Sequence, residues 1–252
     1  MRKRFVARFS GQQPKCPGWL AHRRIWDNTV INVGVGMGEA KRRRAEIDAL
    51  KERNARLGEA AGKVGHALRR LATAASGNLG SDCFAHAVLG QALLADLGFN
   101  ADIEVGEAAW RIGPGDGDVI SHTFRENSFT PAQMSPEQRA IAFHAWLVVD
   151  ETVVDFTTYQ LASKAQMLDE ADGRNTTVEW CPEILVLPKQ RVATYRQTAQ
   201  SLKSGVAYYG AQEDLRSVVT QHYSLDAHDL NAARILLANP EARAFGPNNT
   251  GA

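Results

Sequence analysis

The sequence predicts an α+β fold with extra helices at both ends, and three observations carry that expectation. A run of strong helix formers begins near Glu39, an apolar segment opens at Cys83, and two short alternating stretches, HAWLVVD and TVVDFT, lie close together. Helices and a hairpin sharing one chain of 252 residues read as one helix-rich α+β domain. Hydrophobic content of 44% and charged content of 23% are those of an ordinary globular protein.

The element order follows from local chemistry. Residues 1–36 are basic, rich in Gly and Pro, and without a sustained period, so they read as a poorly ordered arm. Residues 37–76 read as a helical extension. Its first helix, Glu39 to Leu57, has only a thin apolar stripe of Ile47, Leu50 and Leu57 and should be mostly solvated. A second, Glu59 to Ala75, carries Val64, Leu68, Leu71 and Ala75 before SGNLGS breaks it. The segment CFAHAVLGQALLADL, Cys83 to Leu97, is apolar nearly all round and reads as a buried helix. Ser81 or Asp82 would cap it, and Gly98 would end it.

ADIEVGEAAWRI alternates as a strand does. GPGDGDV reads as a turn or flexible loop, and SHTFRENSFTPAQMSPEQR as a loop with room for a short helix near its end. After the hairpin come a helix from Tyr159 to about Glu170 and a strand in TVEWCPEILVLP. Residues 189–252 read as a C-terminal helical region. It holds one helix through Val192, Tyr195, Ala199 and Leu202 and another from Ser224 to about Ala238, and the tail FGPNNTGA carries no structure signal.

Totals narrow the function. Lys+Arg 29 against Asp+Glu 28 leaves a net charge of +1, so nothing global points to nucleic acid. The cluster Lys41–Arg44 could touch an acidic partner, but Glu39, Glu46, Asp48 and Glu52 dilute its field. Cys16, Cys83 and Cys181 are too few and too scattered for a disulfide framework, which favours a reducing, cytoplasmic compartment. No apolar run is long enough to span a membrane, and the basic amino terminus lacks the apolar core of a secretory signal.

Cys83 stands out because a thiol becomes a nucleophile only as the thiolate. The first turn of a helix favours an anion there, though Asp82 opposes it, so a histidine partner is needed. If Asp150-Glu151 forms a two-residue turn, Val149 faces Thr152 and Trp146 faces Asp155. His144, Trp146 and Val148 then share a sheet face with Val153, Asp155 and Thr157, and the other face is apolar. His144 and Asp155 become diagonal neighbours, roughly 7–8 Å apart at the backbone. An acid so placed would fix the tautomer of His144 and stabilise its imidazolium. Ala87 and Gly90, on the Cys83 side of the helix, are small enough to let a strand approach.

These residues carry a resemblance. SDCFAHAVLGQALLADLGFNADIEV and FHAWLVVDETVVDFT look like the transglutaminase-like superfamily, part of the wider papain-like cysteine-enzyme fold, and are similar to lasso-peptide leader peptidases. The resemblance covers roughly residues 78–160. It implies a transglutaminase-like catalytic core over residues 77–188, with Cys83 as nucleophile, His144 as base and Asp155 as orienter. It implies acyl transfer through a thioester on a peptide or protein substrate, hydrolysing a peptide or amide bond, without a cofactor. A transamidase with the same trio, or a non-catalytic interaction protein keeping the fold, stays open. The insertion from Gly113 to about Arg139 departs from the pattern.

Other residues compete for attention. His86 follows Cys83 by three residues and could join His144, His122 or Asp155 around zinc, but the spacing matches no strong metal signature, so no metal is expected. His122, read as a loop residue, could line a cleft. Trp146 could shield the catalytic hydrogen bonds or simply fill the core. Cys181 reads as structural, and His22, His66, His222 and His228 carry no case. The backbone N–H of Cys83 is the first candidate for an oxyanion donor, with Asn78 a weaker second.

Overall fold

A computed structural model describes residues 37–75, 83–122, 143–223 and 225–248. The arm at 1–36, with Cys16 and His22, lies outside the described residues, as do Asn78, the Ser81 or Asp82 cap, the helix expected before Arg139, and the side chain of His222. Two compact units divide the chain, Met1–Ala45 and Glu46–Ala252. The described part of the first is the opening of helix α1 (Met37–Ala74), exposed from Glu39 onward, with Lys41–Arg44 in solvent.

In the second unit α1 continues without a break and buries Leu57, Ala61, Val64, Leu68 and Leu71. Two helices meeting near Gly58 were expected, and one is found. A mid-helix glycine costs only about 1 kcal/mol against alanine. The apolar stripe runs through it in phase, so packing outweighs that cost.

Helix α2 (Cys83–Asp96) is buried along most of its length, as its composition demands. It ends where Gly98 takes φ 84°, with Gly98 N donating to Ala95 O and Phe99 N to Leu94 O. That double bond pattern is a Schellman cap, which needs a left-handed residue.

The sheet is antiparallel and built around β1 (Asp102–Arg111). Its partners are β3 (His144–Val149) along 102–106, β6 (Ala207–Ala211) along 106–110 and β2 (Val119–His122) along 108–111. Gly106, Ala108, Ala109 and Trp110 are each paired twice, so β6 takes one edge of β1 while β3 and β2 follow one another along the other. Strand β4 (Thr152–Asp155) pairs with β3, and β5 (Leu185–Pro188) with β4.

Alternation sorts the side chains into two layers. Val105, Ala145, Leu147, Val149 and Val154 face α1, α2 and the C-terminal helices α5 (Glu213–His222) and α6 (Ala227–Ala238), which supply Leu215, Ala233 and Leu236. Gly90 sits where α2 crosses this layer. A Cβ there would lie 2.4 Å from the Phe156 ring, so only glycine admits the approach. The other face carries Trp110, Trp146, Val148, Val153 and Leu187, with Leu161 and Ala165 of α3 (Leu161–Asp172).

Several expectations are corrected. Val119–His122 form β2 where the expected turn ended and the expected loop from Ser121 began, and 207–222 supply β6 and α5, which short and irregular patterns concealed. TVEWCPEILVLP contributes only Leu185–Pro188; upstream, Glu179 and Trp180 both donate to Ile112 O outside any strand. Helix α4 is short, Tyr195–Gln200, because a Thr194/Gln197 capping box starts it late. GPGDGDV is a turn, pinned by Asp118, whose carboxylate accepts from Gly115 N at 2.7 Å and Thr177 N at 3.1 Å.

Candidate active site

The hairpin sets the site. Val149 pairs with Thr152, Val148 with Val153 and Leu147 with Val154, joined through Asp150-Glu151 as the sequence required. Asp150 takes φ 51°, the left-handed backbone a two-residue hairpin loop demands. Two residues further on, this register puts His144 diagonal to Asp155 on the polar-bearing face.

Their side chains meet. His144 Nε2–H donates to Asp155 Oδ2 at 2.8 Å, and both side chains are fully buried. Asp155 accepts three further bonds: Oδ1 from Thr157 N at 2.9 Å and Thr157 Oγ1 at 2.8 Å, and Oδ2 from Tyr209 OH at 2.8 Å. Trp110 Nε1–H in turn donates to Tyr209 OH at 2.9 Å. A carboxylate held by several donors is fixed in place and in charge.

Electrostatics follow from this wiring. Burial alone would pull the imidazole down, but the charge and hydrogen bond of Asp155, helped by Cys83, push His144 up to about 9. Burial alone would raise Asp155; His144, Thr157 and Tyr209 together hold it well below the usual carboxylate range. Burial and the Asp155 charge push the Tyr209 phenol well above its ordinary value, so it remains a donor.

Aromatic rings enclose the imidazole. Trp110 meets it edge-on at 4.8 Å, Trp146 stacks at 6.1 Å and the His122 ring at 5.7 Å. Trp146 thus both fills the core and covers the pair. Such walls exclude water and lower the local dielectric, which strengthens the ion pair.

Cys83 opens α2, half-buried, and its Sγ–H points to Phe143 O at 3.8 Å, the residue directly before His144. With Nε2 committed to Asp155, the buried Nδ1 is the nitrogen left for the thiol. Cys83 acts on the His144 ring through both its charge and a side-chain hydrogen bond, so the three sequence-predicted residues are brought together. The Cys83 backbone N–H stays the first candidate for an oxyanion donor.

The rival residues are placed as follows. His86 is buried against Tyr159 OH at 3.2 Å. Among the described residues no group of three or more His, Cys, Asp or Glu is placed to hold a metal. Cys181 Sγ lies 3.5 Å and 3.4 Å from the carbonyls of Thr158 and Tyr159. His66 and His228 are exposed. His122 is not a loop residue: it ends β2, half-buried, with Lys164 Nζ at 3.4 Å from its Nε2.

Sequence reasoning missed Tyr209, Thr157 as a ligand of Asp155, Trp110 and Lys164. Thr157 had a local signal, a hydroxyl two residues after an acid. Tyr209 had none, since its strand pairs with β1 across a hundred residues of chain.

A scan against protein-family models finds no match, and neither does a search of curated proteins. Among solved structures, one titled "The crystal structure of genomics APC5867" is similar at 15% identity over 74% of this chain and 82% of that chain, with a TM-score of 0.46.

Proposed function

We propose that the chain is a cysteine-nucleophile enzyme that hydrolyses a peptide or amide bond through a thioester at Cys83. The observation that carries this reading is the buried His144–Asp155 pair at 2.8 Å, set beside the Cys83 thiol with Nδ1 otherwise unpartnered. The transglutaminase-like, papain-like arrangement belongs to the same proposal: a buried helix opening on the thiol, packed on an antiparallel sheet that bears base and orienter.

The proposed steps call on these groups in turn. The thiol proton passes to His144 Nδ1 before substrate arrives, giving the imidazolium–thiolate pair that the raised His144 favours, and the sulfur then attacks the substrate carbonyl carbon. The new C–S bond pushes an electron pair onto the carbonyl oxygen, where the Cys83 backbone N–H can receive it. Collapse expels the amine, which takes the proton back from His144, and leaves the thioester. Water then gives a proton to His144 as it attacks; the C–S bond breaks with its electron pair on sulfur, which restores the thiolate beside the protonated His144, and the acid leaves. Asp155 keeps the imidazole oriented and stabilises it while charged, remaining ionised itself.

No helix among the described residues is long and apolar enough to cross a membrane. A cytoplasmic setting is part of the proposal because the thiol must stay reduced.

The test is alkylation by iodoacetamide near neutral pH, read by peptide mass spectrometry. Cys83 should react at least about tenfold faster than Cys181, and His144→Ala should remove most of that advantage. Equal rates at both thiols, indifferent to His144→Ala, would sink the reading. Elemental analysis of the purified protein separates the zinc alternative.

A further inference from the structure

We infer that Lys164, braced by His122, forms an anion-binding subsite beside Cys83 that selects a carboxylate flanking the scissile bond, as in an acidic peptide. The inference deepens the hydrolase reading and rests on it.

Helix α3 packs Leu161 and Ala165 onto the sheet face that holds the site, and Lys164 lies next to Ala165. Its ammonium reaches the His122 Nε2 at 3.4 Å, and the His122 ring stacks on His144 at 5.7 Å. Lys164 is half-buried, and a cation drawn out of water needs a counter-charge or strong acceptors. His122 offers an acceptor but no charge. Burial first, then Lys164 and His144, push it down to about 3, so it is neutral at any ordinary pH and its Nε2 lone pair faces the ammonium.

No Asp or Glu forms an ion pair with Lys164 among the described residues. Burial pushes the Lys164 ammonium down from its ordinary value, and the negative groups that act against this are Cys83 and Asp155. The Asp155 oxygens are already occupied by four hydrogen bonds and fully buried. Among the described residues that charge therefore has no free anionic partner and is left for something that arrives. Accessibility points the same way. His144 and Asp155 are sealed, whereas Cys83, His122 and Lys164 each keep a solvent-facing part. Lys164 and Cys83 are also close enough for their charges to act on each other.

Two alkylating reagents that differ only in charge separate this role from simple support of the sulfur. Iodoacetate and iodoacetamide transfer the same methylene to the thiol and lose the same iodide. Cys83 in the intact chain should favour iodoacetate over iodoacetamide by about tenfold more than N-acetylcysteine amide does. Lys164→Gln should cost about tenfold in the iodoacetate rate and under about twofold with iodoacetamide, and Lys164→Arg should keep most of the preference. If Lys164→Gln slows both reagents alike, or the wild-type ratio equals that of the free thiol, the subsite is overturned. Indifference of the iodoacetamide rate to His144→Ala overturns the nucleophile reading instead and leaves the charge ratio standing.

Discussion

Asp155→Asn is the substitution whose consequence is worked most fully by the geometry. The four bonds to the Asp155 carboxylate all come from donors. An asparagine keeps one accepting oxygen, which Thr157 N and Oγ1 would claim. Its NH2 then faces Tyr209 OH and His144 Nε2. The phenol can turn and accept, but the imidazole must move its proton to Nδ1. That proton would point at the Cys83 thiol, so the ring could no longer serve as its base. The same change deletes the charge that opposes burial. His144 should fall from about 9 to below its ordinary 6.5, which is on the order of 3 kcal/mol of imidazolium stabilisation. Two assays read it: imidazole NMR for the titration, and the iodoacetamide rate of Cys83 against pH. The variant should lose on the order of a hundredfold in rate at neutral pH while staying folded. A wild-type His144 titrating near 6.5, or a variant still titrating near 9, would refute the reasoning.

Three further outcomes follow from the packing and charges. Tyr209→Phe should cost about 2–4 kcal/mol in chemical denaturation, from one lost bond to a buried carboxylate and an orphaned Trp110 indole N–H; a loss under 0.5 kcal/mol (about the size of a surface change) would contradict it. Gly90→Ala should cost about 1–3 kcal/mol because its Cβ meets the Phe156 ring, and trimming that ring with Phe156→Leu should recover part of the loss in a double-mutant cycle. Stability should also follow pH through the pair. His144 is raised on folding, so its contribution is complete below about 6.5 and fades as pH climbs through about 9; Asp155 is lowered, so its share holds above about 4 and fades as acid is added. Melting temperatures flat from pH 6.5 to 9 would count against the ion pair.

How much of this was legible in the chain depended on how local the signal was. The relation of His144 to Asp155 was readable because two strands and a two-residue turn fix parity, and one apolar face leaves the register no freedom. Gly90 and Gly98 were readable for similar reasons of immediate neighbourhood. The continuity of α1 through Gly58 was not, because propensity marks a weak point that tertiary packing overrides. Tyr209 and Lys164 were hidden by distance. AYYGA is too short and too uniform to announce a strand, and the stretch ending at His122 pairs only four residues. Both groups reach the site through β1 and α3, elements that reveal nothing of their partners in sequence.

The central claim is a covalent one, and acyl trapping tests it most directly. The protein would be mixed with an activated acyl donor such as a p-nitrophenyl ester, quenched in acid, and mapped by mass spectrometry. The account predicts one acyl group, on Cys83, released by hydroxylamine, turned over by water in the wild type and absent in Cys83→Ala. Acylation scattered over lysines and Cys181, unchanged by Cys83→Ala, would contradict it.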